Sequence, residues 1–85
     1  IGTPQLNRFV ENCLQNYHPP AIGGKRLRIY YLTQVAKSPP SFVLFVNYPN
    51  LLTESYKKYL INNFRKNFSF VGVPIFFFVR GKKTT

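Results

Sequence analysis

Two stretches of this chain are apolar without interruption, Phe42-Val43-Leu44-Phe45-Val46 and Ile75-Phe76-Phe77-Phe78-Val79, and they constrain the fold more than any other feature. Short runs rich in aromatic and β-branched residues, bounded by Pro, Gly and Asn, read as strands. Successive side chains of a strand point to opposite faces of its sheet. A strand with no polar alternation therefore asks for cover on both faces, and the rest of the chain must supply that cover or leave part of it to a partner.

Amphipathic helices are the available cover. Thr3-Pro4 suits a helix start, with a capping hydroxyl and a proline whose missing N–H costs nothing in the first turn. Leu6, Phe9, Val10, Cys13, Leu14 and Tyr17 then recur at helical spacing, with Asn7, Arg8, Glu11, Asn12, Gln15 and Asn16 opposite. His18-Pro19-Pro20 ends that helix, and residues 21–25, with Gly23-Gly24 inside, read as a flexible basic-ended loop. From Arg26 the period becomes two. Leu27, Ile29, Tyr31, Thr33 and Val35 form the expected core face, with Arg26, Arg28, Tyr30, Leu32 and Gln34 on the other. Residues 36–40 form a turn whose prolines rule out ladder pairing, and residues 41–47 return as the second strand of a hairpin.

Thr53-Glu54 marks the second helix, with a cap and an acid where the helix dipole favours negative charge. Tyr56, Tyr59, Leu60, Asn63, Phe64 and Asn67 share one arc, while Lys57, Lys58, Asn62, Arg65 and Lys66 share the other. Residues 74–80 form the third strand, and residues 81–85 a basic, fraying tail. The order helix, strand, strand, helix, strand predicts an α+β domain of two layers, a three-stranded sheet covered on one face by two helices. The second strand, helix and third strand form a crossover that runs those strands parallel if they are neighbours.

The chain has 85 residues, enough for one core. Its 45% apolar content argues against disorder. Cys13 is the only cysteine, which excludes an intrachain disulfide and a cysteine-based zinc site and fits a reducing, cytoplasmic setting. No apolar run approaches the roughly 20 residues of a membrane span, and the first residues lack the grammar of a signal peptide. Because it opens at Ile1 without a Met, the chain is read as a fragment of a longer protein. Twelve lysines and arginines face two acids, Glu11 and Glu54, for a net charge of +10. Such a field attracts polyanions, and nucleic acid is the first partner it suggests.

Several ordered motifs then stop being generic. Tyr30-Tyr31-Leu32-Thr33-Gln34-Val35, Pro39-Pro40-Ser41-Phe42-Val43-Leu44-Phe45-Val46-Asn47 and Ser55-Tyr56-Lys57-Lys58-Tyr59-Leu60 resemble the C-terminal KH-like domain of the bacterial Der (EngA) GTPases. Leu6-Asn7-Arg8, His18-Pro19-Pro20 and Phe70-Val71-Gly72-Val73-Pro74-Ile75 are similar to that family's pattern as well, so the resemblance runs from about Thr3 to Lys83. It implies G domains upstream that hold GTP and Mg, a role in large ribosomal subunit biogenesis, contact with ribosomal RNA, packing against the G domains, and a cytoplasmic, ribosome-associated location. The chain itself has no G-x-x-x-x-G-K-[ST] phosphate loop, and is read as a non-enzymatic accessory domain with no cofactor of its own. It also lacks the G-x-x-G loop with which ordinary KH domains clamp nucleic acid, as the resembled family does.

Two basic groups are the candidate RNA-binding residues. One is the helix stripe Lys57, Lys58, Asn62, Arg65 and Lys66, whose alternative reading is a solvated helix face. The other is Lys25, Arg26 and Arg28 beside Gly23-Gly24, whose alternative is a plain loop with incidental charge. Lys82 and Lys83 read as a solubilising tail. Tyr30, Phe42, Leu44, Phe76 and Phe78 are expected to form an interdomain docking surface, because no basic residues interleave with the phenylalanines as base stacking would favour. Tyr30 is also the best single stacking candidate. A mainly regulatory docking module with little direct RNA contact is the alternative function. His18 has no second histidine to make a metal site, and Glu11 and Glu54 come from separate helices with local roles, so an acid/base pair is not expected.

Overall fold

The computed structural model describes residues 2–68, 70 and 72–81, and its elements follow the expected order. They are α1 (Thr3–Asn16), β1 (Ile29–Lys37), β2 (Pro40–Val46), a single 3-10 turn (Pro49–Leu51), α2 (Glu54–Asn67) and β3 (Phe76–Gly81). Residues 82–85, expected to fray, lie outside the described part.

Local chemistry explains both helices. In α1 the capping position is Gly2 rather than Thr3, which is already helical, and the Gln5 side-chain oxygen accepts the Gly2 N–H at 3.4 Å. In α2 the Thr53 hydroxyl accepts the Tyr56 N–H at 3.1 Å, Glu54 occupies the first turn, and Arg65 and Lys66 occupy the last, each sign complementing the helix dipole. Phe9 meets Phe64 and Phe68 at ring distances of 5.6 and 5.7 Å, while Tyr17 meets Tyr56 at 5.6 Å, so the helices pack antiparallel. The Tyr56 hydroxyl donates to the Tyr17 carbonyl at 2.7 Å and the Tyr59 hydroxyl to the Cys13 carbonyl at 2.8 Å. The Tyr17 carbonyl, past the last turn of α1, thereby gains a partner from α2, and the Cys13 carbonyl, which already accepts the Tyr17 N–H, gains a second. On the same arc Asn63 is half-buried but Asn67 is exposed, and their amides donate to the Tyr59 and Asn63 carbonyls, one turn back, instead of joining the core.

The sheet has the order β1-β2-β3, with β1 antiparallel and β3 parallel to β2. Phe42, Leu44 and Val46 of β2 share the inner face with Phe77 and Val79 of β3, and meet Leu6, Phe9, Leu60 and Phe64 from the helices in one apolar core.

The core face of β1 differs from the expected one. Leu27 and Ile29 pack inward, but beyond them Leu32 is buried while Tyr31 and Val35 are exposed. The register gives the reason: Ile29 pairs with Val46 and Tyr31 with Phe45, so β1 advances two residues while β2 advances one. Tyr30 is the extra residue of a β-bulge, and one extra residue sends every later side chain to the opposite face. Asn7 stabilises this register, since its side-chain oxygen accepts the Leu32 N–H at 3.1 Å. A second irregularity lies between Gln34 and Ala36. The hairpin is also tighter than expected, because Lys37 pairs with Pro40 and only Ser38 and Pro39, joined by a cis peptide, make the turn. A proline is tolerated there because it is the first residue of its strand.

Cys13 lies buried in the core, and desolvation pushes its thiol from 9.0 up to about 11. Burial likewise raises Tyr56, with the neighbouring Tyr59 adding to it. Both groups are neutral when protonated, so above pH 9 the unfolded chain binds fewer protons than the folded one and stability falls as pH rises. Two results are expected: a melting temperature that declines between pH 9 and pH 11, and alkylation of Cys13 at pH 8 that is slow until denaturant is added. Rapid labelling of the folded chain would contradict this packing.

Candidate nucleic-acid interface

Arg26 and Arg28 flank the buried Leu27, so alternation turns both toward solvent. The pairing of β1 with β2 has not yet begun at these residues, and Asn47 substitutes for it. Its backbone N–H donates to the Arg28 carbonyl at 3.0 Å, its side-chain oxygen accepts the Arg28 N–H at 2.9 Å, and its amide donates to the Arg26 carbonyl at 3.1 Å. The two arginines thus project from a fixed backbone. Nothing in local sequence pattern points to Asn47, because its partners lie about twenty positions away.

Lys25 joins them through a turn that is closed, contrary to the expected flexible loop. Ile22 and Lys25 exchange both backbone hydrogen bonds, at 2.8 and 3.0 Å, across Gly23 and Gly24 with φ of +59° and +76°. Two consecutive positive φ values define the tight turn that glycine supports without strain. The Lys25 ammonium lies 5.1 Å from the centroid of the Tyr48 ring, a cation–π contact. Lys25, Arg26 and Arg28 therefore share one patch with Tyr48, which the sequence reading did not single out.

The second group lies on the outer side of α2. Tyr56, Leu60 and Phe64 are buried; Lys58, Asn62, Arg65 and Lys66 are exposed, and Lys57, at the edge of the arc, is half-buried. Arg65 has a structural task as well. One of its guanidinium nitrogens donates to the carbonyls of Phe70 and Val73, each at 3.3 Å, bracing the loop that leads to β3.

The expected docking residues separate. Phe42 and Leu44 are not on an outer surface: both face the helices, and the Phe42 ring is fully buried 4.8 Å from Phe64. The β2–β3 register puts Phe76 and Phe78 on the opposite face, where they are 44% and 49% exposed with their rings 6.4 Å apart and nearly parallel. Tyr31 and Phe45, stacked at 4.5 Å, continue that face, and Val43 of the central strand, paired with Thr33 and Phe78, is buried within it. Tyr30 is exposed at the bulge. The bulge also changes who belongs here, since Tyr31 replaces Leu32 on the outer side. Arg80, paired with Phe45, sets a cation at the end of this face. At the same end Gly81 comes so close to Pro49 that a Cβ there would lie 2.8 Å from the proline ring, a contact only glycine permits.

Among the described residues no group of three or more His, Cys, Asp or Glu could hold a metal ion. Among the same residues no helix is long and apolar enough to cross a membrane.

A family model described as the KH-domain-like C-terminal part of EngA bacterial GTPase enzymes matches residues 1–80. The chain belongs to that family. It is 61% identical over 82 residues to the GTPase Der of Protochlamydia amoebophila, covering 96% of this chain and 17% of that protein. It is 59% identical to the GTPase Der of Lactobacillus johnsonii and 52% identical to that of Natranaerobius thermophilus, over 98% and 88% of this chain and 19% and 17% of theirs. The chain thus spans under a fifth of the length of the curated relatives it matches. Its sequence carries no G-x-x-G, and Lys25, Arg26, Arg28, Lys57, Lys58, Arg65 and Lys66 sit on a glycine turn, the approach to β1 and α2.

Proposed function

We infer that this EngA-type KH-like domain is an RNA-contacting accessory module. It works in large ribosomal subunit biogenesis, in a cytoplasmic, ribosome-associated protein whose GTP and Mg are held by upstream G domains. The observation that carries this reading is the excess of surface cations: Lys25, Arg26 and Arg28 on a braced backbone, and Lys57, Lys58 and Lys66 along α2, in a chain with two acids against twelve cations. Arrays of this sign bind phosphates by releasing condensed counterions, so log K should fall linearly with log salt. Titrating single-stranded and duplex segments of large-subunit ribosomal RNA with the chain across a salt series tests this. A flat or absent response would overturn the RNA reading.

A second surface supports packing on the upstream G domains. Tyr31, Phe45, Phe76 and Phe78 leave an apolar face on the side of the sheet away from the helices, and apolar faces of this kind mark interaction sites. In the full-length protein, Phe78→Asp is expected to weaken association between this domain and the G domains, while RNA affinity of the isolated domain stays unchanged. Unaltered domain association in both nucleotide states would remove the docking role. The α2 stripe lies on the other side of the two layers from this face, so RNA contact through α2 is compatible with docking.

A further inference from the structure

We propose that Tyr48 is a stacking platform for an unpaired nucleobase, with Lys25, Arg26 and Arg28 holding the adjoining phosphates; this rests on the RNA reading above and gives it a defined subsite. The ring lies just beyond β2, outside the buried core cluster, and 50% of the residue's surface is in water. A half-exposed tyrosine is ordinary by itself. Two independent features set this one apart.

The first is how it is held. The side-chain oxygen that accepts the Arg28 N–H also accepts the Tyr48 N–H, at 2.8 Å, while the amide of the same Asn47 donates to the Arg26 carbonyl. A single side chain thus fixes the backbone of Tyr48 relative to that of both arginines, reducing the ordering cost that a ligand would otherwise meet. The second is what lies over it. The Lys25 ammonium sits 5.1 Å from the ring centroid, on a residue whose backbone is pinned by the closed Gly23-Gly24 turn.

These features select a ligand class. The cations alone suit any polyanion, including an acidic peptide. An exposed ring beside them adds a flat π surface that a peptide carboxylate does not use, whereas every nucleobase presents a complementary face joined to a phosphate. Stacking of this kind tolerates any base, so the subsite reads single-strandedness rather than sequence.

The test compares the chain with its Tyr48→Ala and Tyr48→Phe variants on two probes, fluorescent single-stranded oligoadenylate and inorganic polyphosphate. Tyr48→Ala is expected to weaken oligoadenylate binding roughly 5- to 150-fold without altering its salt slope, and to leave polyphosphate binding unchanged. Tyr48→Phe, which keeps the ring, should match the parent on both probes. Undiminished oligoadenylate binding by Tyr48→Ala overturns the subsite and leaves the RNA reading standing. Equal losses on both probes overturn it as well, because Tyr48 would then act by placing cations. If the parent chain itself binds oligoadenylate and ribosomal RNA without salt dependence, the subsite and the RNA reading fall together.

Discussion

Phe64→Ala should cost about 3–5 kcal/mol and remove most of the stability of this domain. Phe64 has no solvent exposure and lies where every layer meets. Its ring is 5.6 Å from Phe9 of α1, 4.8 Å from Phe42 of β2 and 5.0 Å from Phe77 of β3, with Phe68 and Phe70 at 4.8 and 5.6 Å. Truncation would forfeit transfer free energy and dispersion contacts on all sides at once. The surrounding rings are themselves fixed on separate elements and cannot all collapse inward. For a domain of this size about 1 kcal/mol moves the melting temperature by roughly 4–8 °C, so a drop well beyond about 10 °C is expected in calorimetry. Phe78→Ala is the internal comparison. It removes the same atoms from a half-exposed position on the outer face, and should cost much less. Equal destabilisation by the two variants would mean that Phe64 does not occupy the centre of the core.

Removing five cations of the two basic groups together, as Arg26→Gln, Arg28→Gln, Lys57→Gln, Lys58→Gln and Lys66→Gln, should flatten the salt dependence of RNA binding. Each phosphate contact with a single strand contributes a slope of about 0.7 in log K against log salt. Loss of all these contacts lowers the slope by up to about 3.5, which removes roughly a hundredfold of salt sensitivity between 50 and 200 mM. Arg65 is left in place because its guanidinium braces the loop before β3, and its loss would mix a structural effect with an electrostatic one. The substituted residues lie outside the core cluster, so the melting temperature should change little. Arg8→Gln with Lys37→Gln serves as the control, since these exposed cations belong to neither group. If the control flattens the slope as much per charge, binding follows net charge and there is no defined interface.

The helices, the hairpin, the parallel crossover and the family were legible in the sequence, because helical spacing, capping residues and long ordered motifs are local signals. The basic stripe of α2 was equally plain, as a helix with Tyr56, Leu60 and Phe64 inward has Lys58, Asn62 and Arg65 outward whatever it packs against. Tertiary structure decided the rest. An apolar strand such as residues 42–46 carries no polar residue to mark its outer face, so Phe42 and Leu44 became core only once β2 was seen beneath α2. In β1 the alternation was real but reversed at Tyr30, because a bulge leaves no trace in composition and is set by pairing with a distant strand. Asn47 and Arg65 act through backbone groups that folding brings near them. Periodicity records which residues share a face; only the packed chain determines which face meets water and which cations are free to meet phosphate.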